Sequence, residues 1–393
     1  PNQYGNIIRD NNPYIFAIDP EDCTDRDDAL SVRRVDDTYT IVTVYIANVW
    51  VWIEAFDLWD HIGSRMSTIY LPNKKRSMLP SILTEDICSL DAGKTCFVMA
   101  MDFHIQNNQL TWDPPRQKLI HVQKQFHYED PKLAKYPGFR ALETVTKQLS
   151  PTVGDSHDIV AYWMTQMNTA MAGLMRQKEV GIFRVVSSTT NTLSSTTTNH
   201  TNTTLPKSSQ NITPQPTPKT MDSFLRIWEQ KLSGKYSLFH PTMDYHHCIM
   251  NISEYVHFTS PIRRMIDLLN HLLWLSTQFE LPSKCKVFVE QCEYQIESIN
   301  RQYKQIKKVQ NDCQILYQVT THPELLEQPI EACVLEYIRE NMYSVYVEEL
   351  KWIGKLYSEE VLEIYQPVMI QLYVFVKEEQ LQKKIRIQKY IQR

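Results

Sequence analysis

Two apolar runs flank an acidic turn in the segment Ile15-Phe-Ala-Ile-Asp19-Pro-Glu-Asp-Cys-Thr-Asp25-Arg-Asp27-Asp28-Ala-Leu30. Four of its carboxylates, at Asp19, Asp25, Asp27 and Asp28, repel one another unless a cation lies among them. Hard carboxylate oxygens suit Mg²⁺ or Mn²⁺, which complete their coordination with water and substrate phosphate. The segment therefore indicates metal-assisted chemistry on a phosphate ester.

Two other interpretations of the acidic turn have to be weighed. Turns favour Asp, so an acidic connection between two strands is more often a solvated loop. A calcium loop of the EF-hand type requires a central Gly and a distal Glu, and this segment has neither. The segment alone leaves both the solvated loop and the phosphate-ester site open.

Length and composition indicate an ordinary globular chain. Its 393 residues are enough for a large core and two domains, and 42% apolar with 22% charged residues is typical of soluble proteins. No run of about 18 apolar residues occurs, so no membrane span is expected. The chain opens on Pro1 without an initiator Met or a signal peptide, and we expect a fragment or a processed chain.

Charge and cysteine usage narrow the function classes. The net charge of −4 is not that of a bulk nucleic-acid binder, so RNA binding would need local basic patches. The candidates are Lys74–Arg76, Arg263–Arg264, Lys304–Lys308 and Lys383–Lys389. The eight scattered cysteines form no C-x-x-C pair, which excludes a zinc ribbon and favours reduced thiols. We expect a cytoplasmic protein, with the nucleus or a virion left open.

The residue pattern predicts an α+β fold. Strand-like segments run from Tyr14 to Ile105, and a Ser/Thr/Asn-rich tract at 187–220 is predicted to be a disordered insertion. Helices are predicted at 158–177, 222–231, 260–279 and 287–317. Five short strand candidates between Ile330 and Ile391 fit a small closed barrel of OB type.

Two separated motifs carry a family resemblance. The Asp19-x5-Asp25-x-Asp27-Asp28-Ala spacing resembles the acidic signature of the RNase II (RNB) family of exoribonucleases, and Tyr255-Val-His-Phe-Thr-Ser-Pro-Ile-Arg-Arg264 with Asp267-Leu-Leu-Asn-His271 resembles its second hallmark. Lesser matches follow in order at Ile69–Pro72, Met78–Pro80, Ile87–Gly93 and Gly181–Arg184. The resemblance spans about residues 14 to 317. It implies an RNB-type catalytic domain over 1–327, with a mixed sheet and packed helices, and an S1/OB-like RNA-binding barrel over 328–393.

The resemblance also implies roles for single residues. Asp19, Asp25, Asp27 and Asp28 would hold one or two Mg²⁺ ions, with Mn²⁺ possible, in an enzyme that releases 5′-nucleoside monophosphates from the 3′ end of single-stranded RNA. Arg263 would bind the phosphate near the cut, since a planar guanidinium can bind two phosphate oxygens. The residues implied to contact RNA are Tyr70, by stacking on a base, together with Thr259, Ser260 and Arg264.

Three of these implications have simpler alternatives in the residues themselves. Tyr70 is almost as easily a packed strand aromatic. Arg263 and Arg264 could be a solvated helix start, whereas Pro261 suits the first turn of a helix whose N–H groups would favour a phosphate. His257 and His271 are expected to be structural, because water on a metal needs no histidine base.

The sequence departs from the family pattern at two places. Asn48 replaces an Asp, and Val160-Ala-Tyr-Trp163 replaces a helix segment that carries Glu-Glu in relatives, where one glutamate is associated with sugar recognition. Selectivity for RNA over DNA is therefore open, as is endonucleolytic activity. The main alternative is a catalytically weak RNA-binding or complex-assembly protein. We expect a monomer that binds single-stranded RNA, no membrane, and possible partners in RNA decay.

Overall fold

The computed structural model describes residues 4–186, 234–248, 250–377 and 382–390. The predicted insertion at 187–220 and the predicted helix at 222–231 lie outside the described residues. The chain divides into two compact units, one formed by Pro1–Met66 with Met78–Asn300 and the other by Ser67–Ser77 with Arg301–Arg393. The predicted domain boundary between residues 327 and 328 stays a prediction.

An eight-stranded mixed sheet forms the centre of the first unit. Its strands run in the order β1-β9-β7-β4-β3-β2-β10, with β8 paired to β7; the outer pairs β1–β9 and β2–β10 are parallel. The strands are β1 Ile8–Arg9, β2 Phe16–Asp19, β3 Asp28–Arg34, β4 Tyr39–Ala47, β7 Thr95–Gln106, β8 Gln109–Trp112, β9 Arg116–His121 and β10 Lys124–His127. Residues 41–47 of β4 are all buried, which explains why the β-branched and aromatic run was predicted as a strand.

Helices and a short hairpin complete this unit. Helix α4 has no exposed residue between Met265 and Leu275. Asp155 caps α3 by accepting a 3.0 Å hydrogen bond from the N–H of Asp158. The elements are α1 Trp50–Ala55, α2 Pro137–Leu149, α3 Ser156–Gln177, α4 Met265–Ser276, α5 Ser283–Tyr294, and the hairpin strands β11 Ile182–Val185 and β12 Lys235–Leu238. Helix α6, Ile296–Thr321, begins in this unit, and its residues from Arg301 onward belong to the second unit.

Two predicted helices differ from the structure. The helix predicted from Ser260 begins at Met265, because Arg264 is extended (φ −133°, ψ 122°) and the carbonyl of Ser260 closes a turn by accepting from the N–H groups of Arg263 and Arg264. The stretch predicted as one helix over 287–317 is two helices, since Gln295 leaves the helical conformation (φ −94°, ψ 15°). Apolar periodicity does not detect a single residue of this kind.

The second unit contains the closed barrel. Its strands run in the order β13-β14-β15-β17-β16, and β17 pairs with β15 in parallel and with β16 in antiparallel fashion. Its core is aliphatic, with Val334, Val345, Leu356 and Ile370 fully buried. The elements are the hairpin β5 Ile69–Leu71 and β6 Lys74–Arg76, the short helix α7 Glu324–Glu327, and β13 Ile330–Arg339, β14 Met342–Val347, β15 Trp352–Tyr357, β16 Pro367–Lys377 and β17 Gln382–Lys389.

The two units together confirm the predicted α+β fold, with a mixed sheet, packed helices and a small barrel of the S1/OB kind. Among the residues that the structure describes, no helix has both the length and the apolar composition that a membrane crossing requires.

Candidate active site

The acidic turn joins the end of one sheet strand to the start of the next. β2 ends at Asp19 and β3 begins at Asp28, and the two strands pair through Phe16 and Leu30. The three residues that precede Asp19 in β2 are buried, so the strand is anchored in the core and holds its terminal carboxylate in place. The nine residues from Asp19 to Asp27 therefore form a compact connection in which Asp25 and Asp27 are also buried.

Asp27 links the acidic turn to the second sequence motif. Its Oδ1 accepts a 2.8 Å hydrogen bond from the backbone N–H of Ile262, and its Oδ2 accepts a 2.9 Å hydrogen bond from Nε of Arg263. Burial raises the pKa of Asp27 to about 7, although the Arg263 guanidinium and the Ile262 N–H oppose that rise. Two motifs that lie 236 residues apart in sequence thus meet in one ion pair.

Asp19 and Asp28 are much less well compensated. Arg26 approaches Asp19, with 3.7 Å between Nε and Oδ2, but this oxygen has no hydrogen-bond partner among the described residues. Burial raises the pKa of Asp19 to about 6. Burial, and then the carboxylates of Asp19 and Asp27, raise the pKa of Asp28 well above its ordinary value. These two carboxylates lie in a site that disfavours their negative charge.

A cysteine thiol lies between two of the carboxylates. Sγ of Cys23 is 3.6 Å from Oδ1 of Asp19 and 3.9 Å from Oδ1 of Asp25. Burial raises the pKa of Cys23 to about 12, so the thiol stays protonated and donates to the carboxylates. Sequence reasoning missed this residue, although it stands inside the acidic segment, because a lone cysteine gives no signal of its partners.

The residues around Asp19 and Asp28 fit a hard divalent cation. A buried carboxylate oxygen without a hydrogen bond and two carboxylates of raised pKa are the features that a cation would neutralise. No group of three or more His, Cys, Asp or Glu side chains in the described part of the chain is arranged to hold a metal ion. Mg²⁺ is commonly bound by one or two carboxylates together with water and substrate phosphate, so this donor set is compatible with it.

The turn at Thr259–Arg264 has its own carboxylate. Oδ1 of Asp267 accepts from the N–H of Ser260 at 2.7 Å and from Nη2 of Arg264 at 3.0 Å. Oγ of Ser260 also accepts hydrogen bonds from Nη2 of Arg263 at 2.9 Å and from Nη2 of Arg264 at 3.0 Å. Oγ1 of Thr259 accepts a hydrogen bond from Nδ2 of Asn168 at 3.3 Å. The described contacts of this turn are therefore mostly within the protein.

The proposed phosphate site at a helix start near Pro261 is wrong. The N–H groups in question belong to a turn that precedes α4, and those of Ser260 and Ile262 donate to Asp267 and Asp27. Carboxylates therefore occupy these two donors, and the N–H groups of Arg263 and Arg264 donate to the carbonyl of Ser260.

Tyr128 joins the site from a distant part of the sequence. It follows β10, which pairs with β2 so that His127 lies opposite Asp19, and its N–H donates to the carbonyl of Asp19 at 3.2 Å. Burial, and then the negative charges of Asp28 and Asp19, raise the pKa of its phenol. Its ring stacks on His157 with 3.7 Å between centroids. Sequence reasoning missed Tyr128 because only the parallel pairing of β2 with β10 reveals its position.

The remaining candidate residues are Tyr70, His257 and His271. Tyr70, on β5 of the second unit, is 41% exposed, and its role in stacking stays a prediction. His257 shares a 2.7 Å hydrogen bond with the hydroxyl of Tyr236, and burial lowers its pKa well below the ordinary value. His271 lies 2.8 Å from the carbonyl of Phe258, and burial lowers its pKa to about 4. The hydrogen bonds described for both histidines therefore go to residues outside the acidic turn.

The two departures from the family pattern have different settings. Asn48 is buried and donates from Nδ2 to Gln117 at 2.8 Å, so its amide is part of the core. In α3, Val160 and Trp163 are buried, whereas Ala161 is exposed and Tyr162 is half-buried. Ala161 and Tyr162 thus lie on the open side of the helix and carry no charge.

Comparison with known proteins places the chain in context. The family model described as the RNB domain matches residues 9–135 and 139–280. A relative named DIS3-like exonuclease 2 from Schizosaccharomyces pombe is 35% identical over 98 residues, which are 25% of this chain and 11% of that protein. The alignment therefore covers only a small part of the relative's length.

Solved structures share the fold. The apo form of Mycoplasma genitalium RNase R matches with a TM-score of 0.69 and 16% identity over 99% of this chain and 72% of that one. Yeast Ssd1, described as a pseudonuclease, matches with a TM-score of 0.60 and 15% identity over 94% of this chain and 53% of that one. At such identities the likeness shows the fold alone.

Proposed function

Because the chain belongs to the RNB domain family, we propose that it is a metal-dependent hydrolytic 3′→5′ exoribonuclease that degrades single-stranded RNA to 5′-nucleoside monophosphates. The observation that carries this proposal is the ion pair between Asp27 and Arg263, next to the poorly compensated carboxylates of buried Asp19 and half-buried Asp28. An acidic loop with no function would have no reason to hold this charge out of water, since burial of unpaired carboxylates costs free energy.

The aspartates and Arg263 are proposed to have different roles. Asp19 and Asp28, with Asp25 beside them, would hold Mg²⁺ or Mn²⁺. When bound, the metal lowers the pKa of a water and stabilises negative charge on phosphate oxygens. Asp27 fixes Arg263 through Nε, while the side chain of Arg263 stays 41% exposed and can bind the phosphate at the 3′ end.

The other candidate residues are proposed in supporting roles. Thr259, Ser260 and Arg264 hold the turn that carries Arg263, and direct contact with RNA stays a prediction for each. Tyr70 is proposed to stack on a base. The barrel is proposed to be an S1-type RNA-binding domain. We also propose a monomer located in the cytoplasm, which the scattered reduced cysteines favour, with partners in RNA decay.

A cleavage assay tests the proposal. The purified chain is incubated with 5′-labelled single-stranded RNA or DNA, with Mg²⁺ or with EDTA, and the products are separated by length. We expect Mg²⁺-dependent shortening from the 3′ end that Asp28→Asn abolishes without loss of RNA binding in EDTA. Asp22→Asn is the matched control, because Asp22 is exposed in the same turn. Intact RNA with the wild-type protein in Mg²⁺ would overturn the proposal.

A second candidate is a catalytically weak RNA-binding protein that keeps the RNB fold. The likeness to a pseudonuclease fold and the occupation of both Asp27 oxygens by protein donors favour it. The same assay distinguishes the two, since this candidate binds RNA in EDTA and leaves it intact in Mg²⁺. Shortening of DNA as well as RNA would fit the loss of both glutamates at Ala161 and Tyr162.

A further inference from the structure

One face of the barrel combines aromatic and basic side chains and no acidic ones. Strands β16 and β17 alternate, so that Leu372 and Ile387 point into the barrel core while their neighbours point outwards. The aromatic and basic residues among the outward positions of β15, β16 and β17 are what we call the aromatic–basic face, and they are Tyr357, Tyr373, Phe375, Lys355, Lys384 and Arg386. In a chain with more acidic than basic residues, such a composition is unusual.

Strand register brings these residues together. Tyr373 lies directly opposite Arg386, and Phe375 directly opposite Lys384, in the β16–β17 pair. The guanidinium carbon of Arg386 lies 4.4 Å from the centre of the Phe375 ring. One arginine therefore contacts one aromatic ring and stands beside another, so cation and ring surfaces alternate across the two strands.

The face is open to solvent. Tyr373 is 47% exposed, Phe375 43% and Tyr357 55%, and Lys384 and Arg386 are exposed as well. No carboxylate among the described residues pairs with Lys384 or Arg386. Exposed aromatic rings of this size have a hydrophobic cost in water, so a cluster of them indicates a surface that a partner covers.

The face overlaps the usual location only at Tyr357 and Lys355, which lie on β15. OB-type barrels bind oligonucleotides on the face of their second and third strands, which are β14 and β15 here. The outward residues Ser344 and Tyr346 of β14 are buried, with 4% and 5% exposure. The open aromatic and basic residues lie mainly on the fourth and fifth strands instead.

We propose that the aromatic–basic face binds single-stranded RNA, with Tyr373 and Phe375 stacking on bases and Lys384 and Arg386 contacting phosphates. Stacking platforms flanked by cations bind single strands without reading their sequence, because every base presents a flat face to an aromatic ring. The proposal rests on RNA as the substrate of the proposed function but not on cleavage.

Binding in the absence of catalysis tests the face. The full chain is titrated in EDTA against a 5′-fluorescein oligouridylate, longer than the roughly 4–16 nucleotides that one such barrel covers, and anisotropy is followed. We expect Tyr373→Ala to weaken the affinity at least about fivefold, the lower limit for loss of one stacked base. Arg386→Gln should reduce the slope of log affinity against log salt by about 0.7, because one phosphate contact is lost.

Matched controls come from exposed residues of the first unit. Tyr294→Ala removes a tyrosine that is 92% exposed, and Arg140→Gln removes an exposed arginine. Both controls should bind as the wild type does. Unchanged affinity and salt slope in a Tyr373→Ala, Arg386→Gln double variant of normal thermal stability would overturn the proposal.

The outcome is separable from that of the proposed function. If the wild type cleaves RNA and the face variants bind normally, only the inference about the face fails. If the wild type leaves RNA intact but the face variants bind it more weakly, the exonuclease proposal fails and the face is supported.

Discussion

Arg263 and Arg264 are neighbours in sequence, and each pairs with a buried aspartate, yet the two pairs differ in exposure. The side chain of Arg263 is 41% exposed and binds Asp27, whereas that of Arg264 is 22% exposed and binds Asp267. Asp27 comes from the acidic turn 236 residues away, and Asp267 from the first turn of the helix that follows. One arginine faces both protein and solvent, and the other is enclosed by its own turn.

The difference indicates which arginine is available to a substrate. A buried ion pair adds little to stability by itself, but removal of one partner leaves a charge without compensation. Arg264 is therefore expected to matter for folding, and Arg263 for the chemistry proposed above. Each prediction below tests one side of this contrast.

The largest expected effect is on stability. Arg264→Met leaves Asp267, which is fully buried, without its cation and should lower the free energy of unfolding by about 3–5 kcal/mol. Urea unfolding followed by tryptophan fluorescence measures this change. Adding Asp267→Asn should recover much of the loss, because no buried charge then remains, and a double variant as unstable as the single one would contradict the assignment.

Arg263→Met should act mainly on turnover. Loss of a positioned cation at the phosphate is expected to lower kcat about 10²–10³-fold, while stability falls less than in Arg264→Met. The smaller stability loss follows because burial raises the pKa of Asp27 to about 7, so its carboxyl can take up a proton near neutrality. Single-turnover cleavage and urea unfolding of both variants test the contrast. Equal kcat for the two variants would argue against a distinct role for Arg263.

The poorly compensated carboxylate of Asp19 predicts a pH dependence of stability in EDTA. Burial raises the pKa of Asp19 from 3.8 to about 6, so the folded protein holds this proton more tightly than the unfolded chain. Its contribution of about 3 kcal/mol is complete below about pH 4 and is lost as the pH rises through 6.

Thermal unfolding across this pH range tests the linkage. Asp19→Asn should flatten the decline in Tm, and exposed Asp22→Asn should keep it. Mg²⁺ should restore Tm more at the alkaline end of the range than at the acidic end, because the cation competes with protons for the carboxylates. If the Tm of the wild type declines no more steeply with pH than that of Asp19→Asn, the assigned direction of the pKa shift is refuted.

The smallest expected effect concerns the thiol between Asp19 and Asp25. Cys23→Ala removes a weak donor and should cost about 1 kcal/mol of stability. Cys23→Ser should restore hydrogen bonding and weaken the effect. Cys313→Ala, at a half-buried position on α6, is the control. The Mg²⁺ concentration that gives half-maximal thermal stabilisation should change for Cys23→Ala and not for Cys313→Ala.

The sequence predicted the parts of the molecule that depend on local pattern. The strands around the acidic turn, the α3 helix and the five barrel strands follow from apolar period and β-branched runs. The choice of partner for each charge did not follow. That Arg264 binds Asp267 while Arg263 binds Asp27 depends on the extended conformation of Arg264, which delays the start of α4 to Met265.

Other site residues were beyond prediction for the same reason. Tyr128 reaches Asp19 through a parallel pairing between β2 and β10, and no local pattern marks this pairing. The bond from Ile262 to Asp27 uses a backbone N–H, which every residue but proline carries. Side-chain identity reports the chemistry available at a position, and tertiary structure decides which groups meet.

The ion pair between Asp27 and Arg263 also constrains when the proposed centre can form during synthesis of the chain. On the ribosome the acidic turn emerges first, and 236 more residues must be added before its arginine exists. Closing so long a loop is entropically costly and comes late in folding. A growing chain therefore carries only half of the proposed centre until Arg263 has been added and the loop has closed.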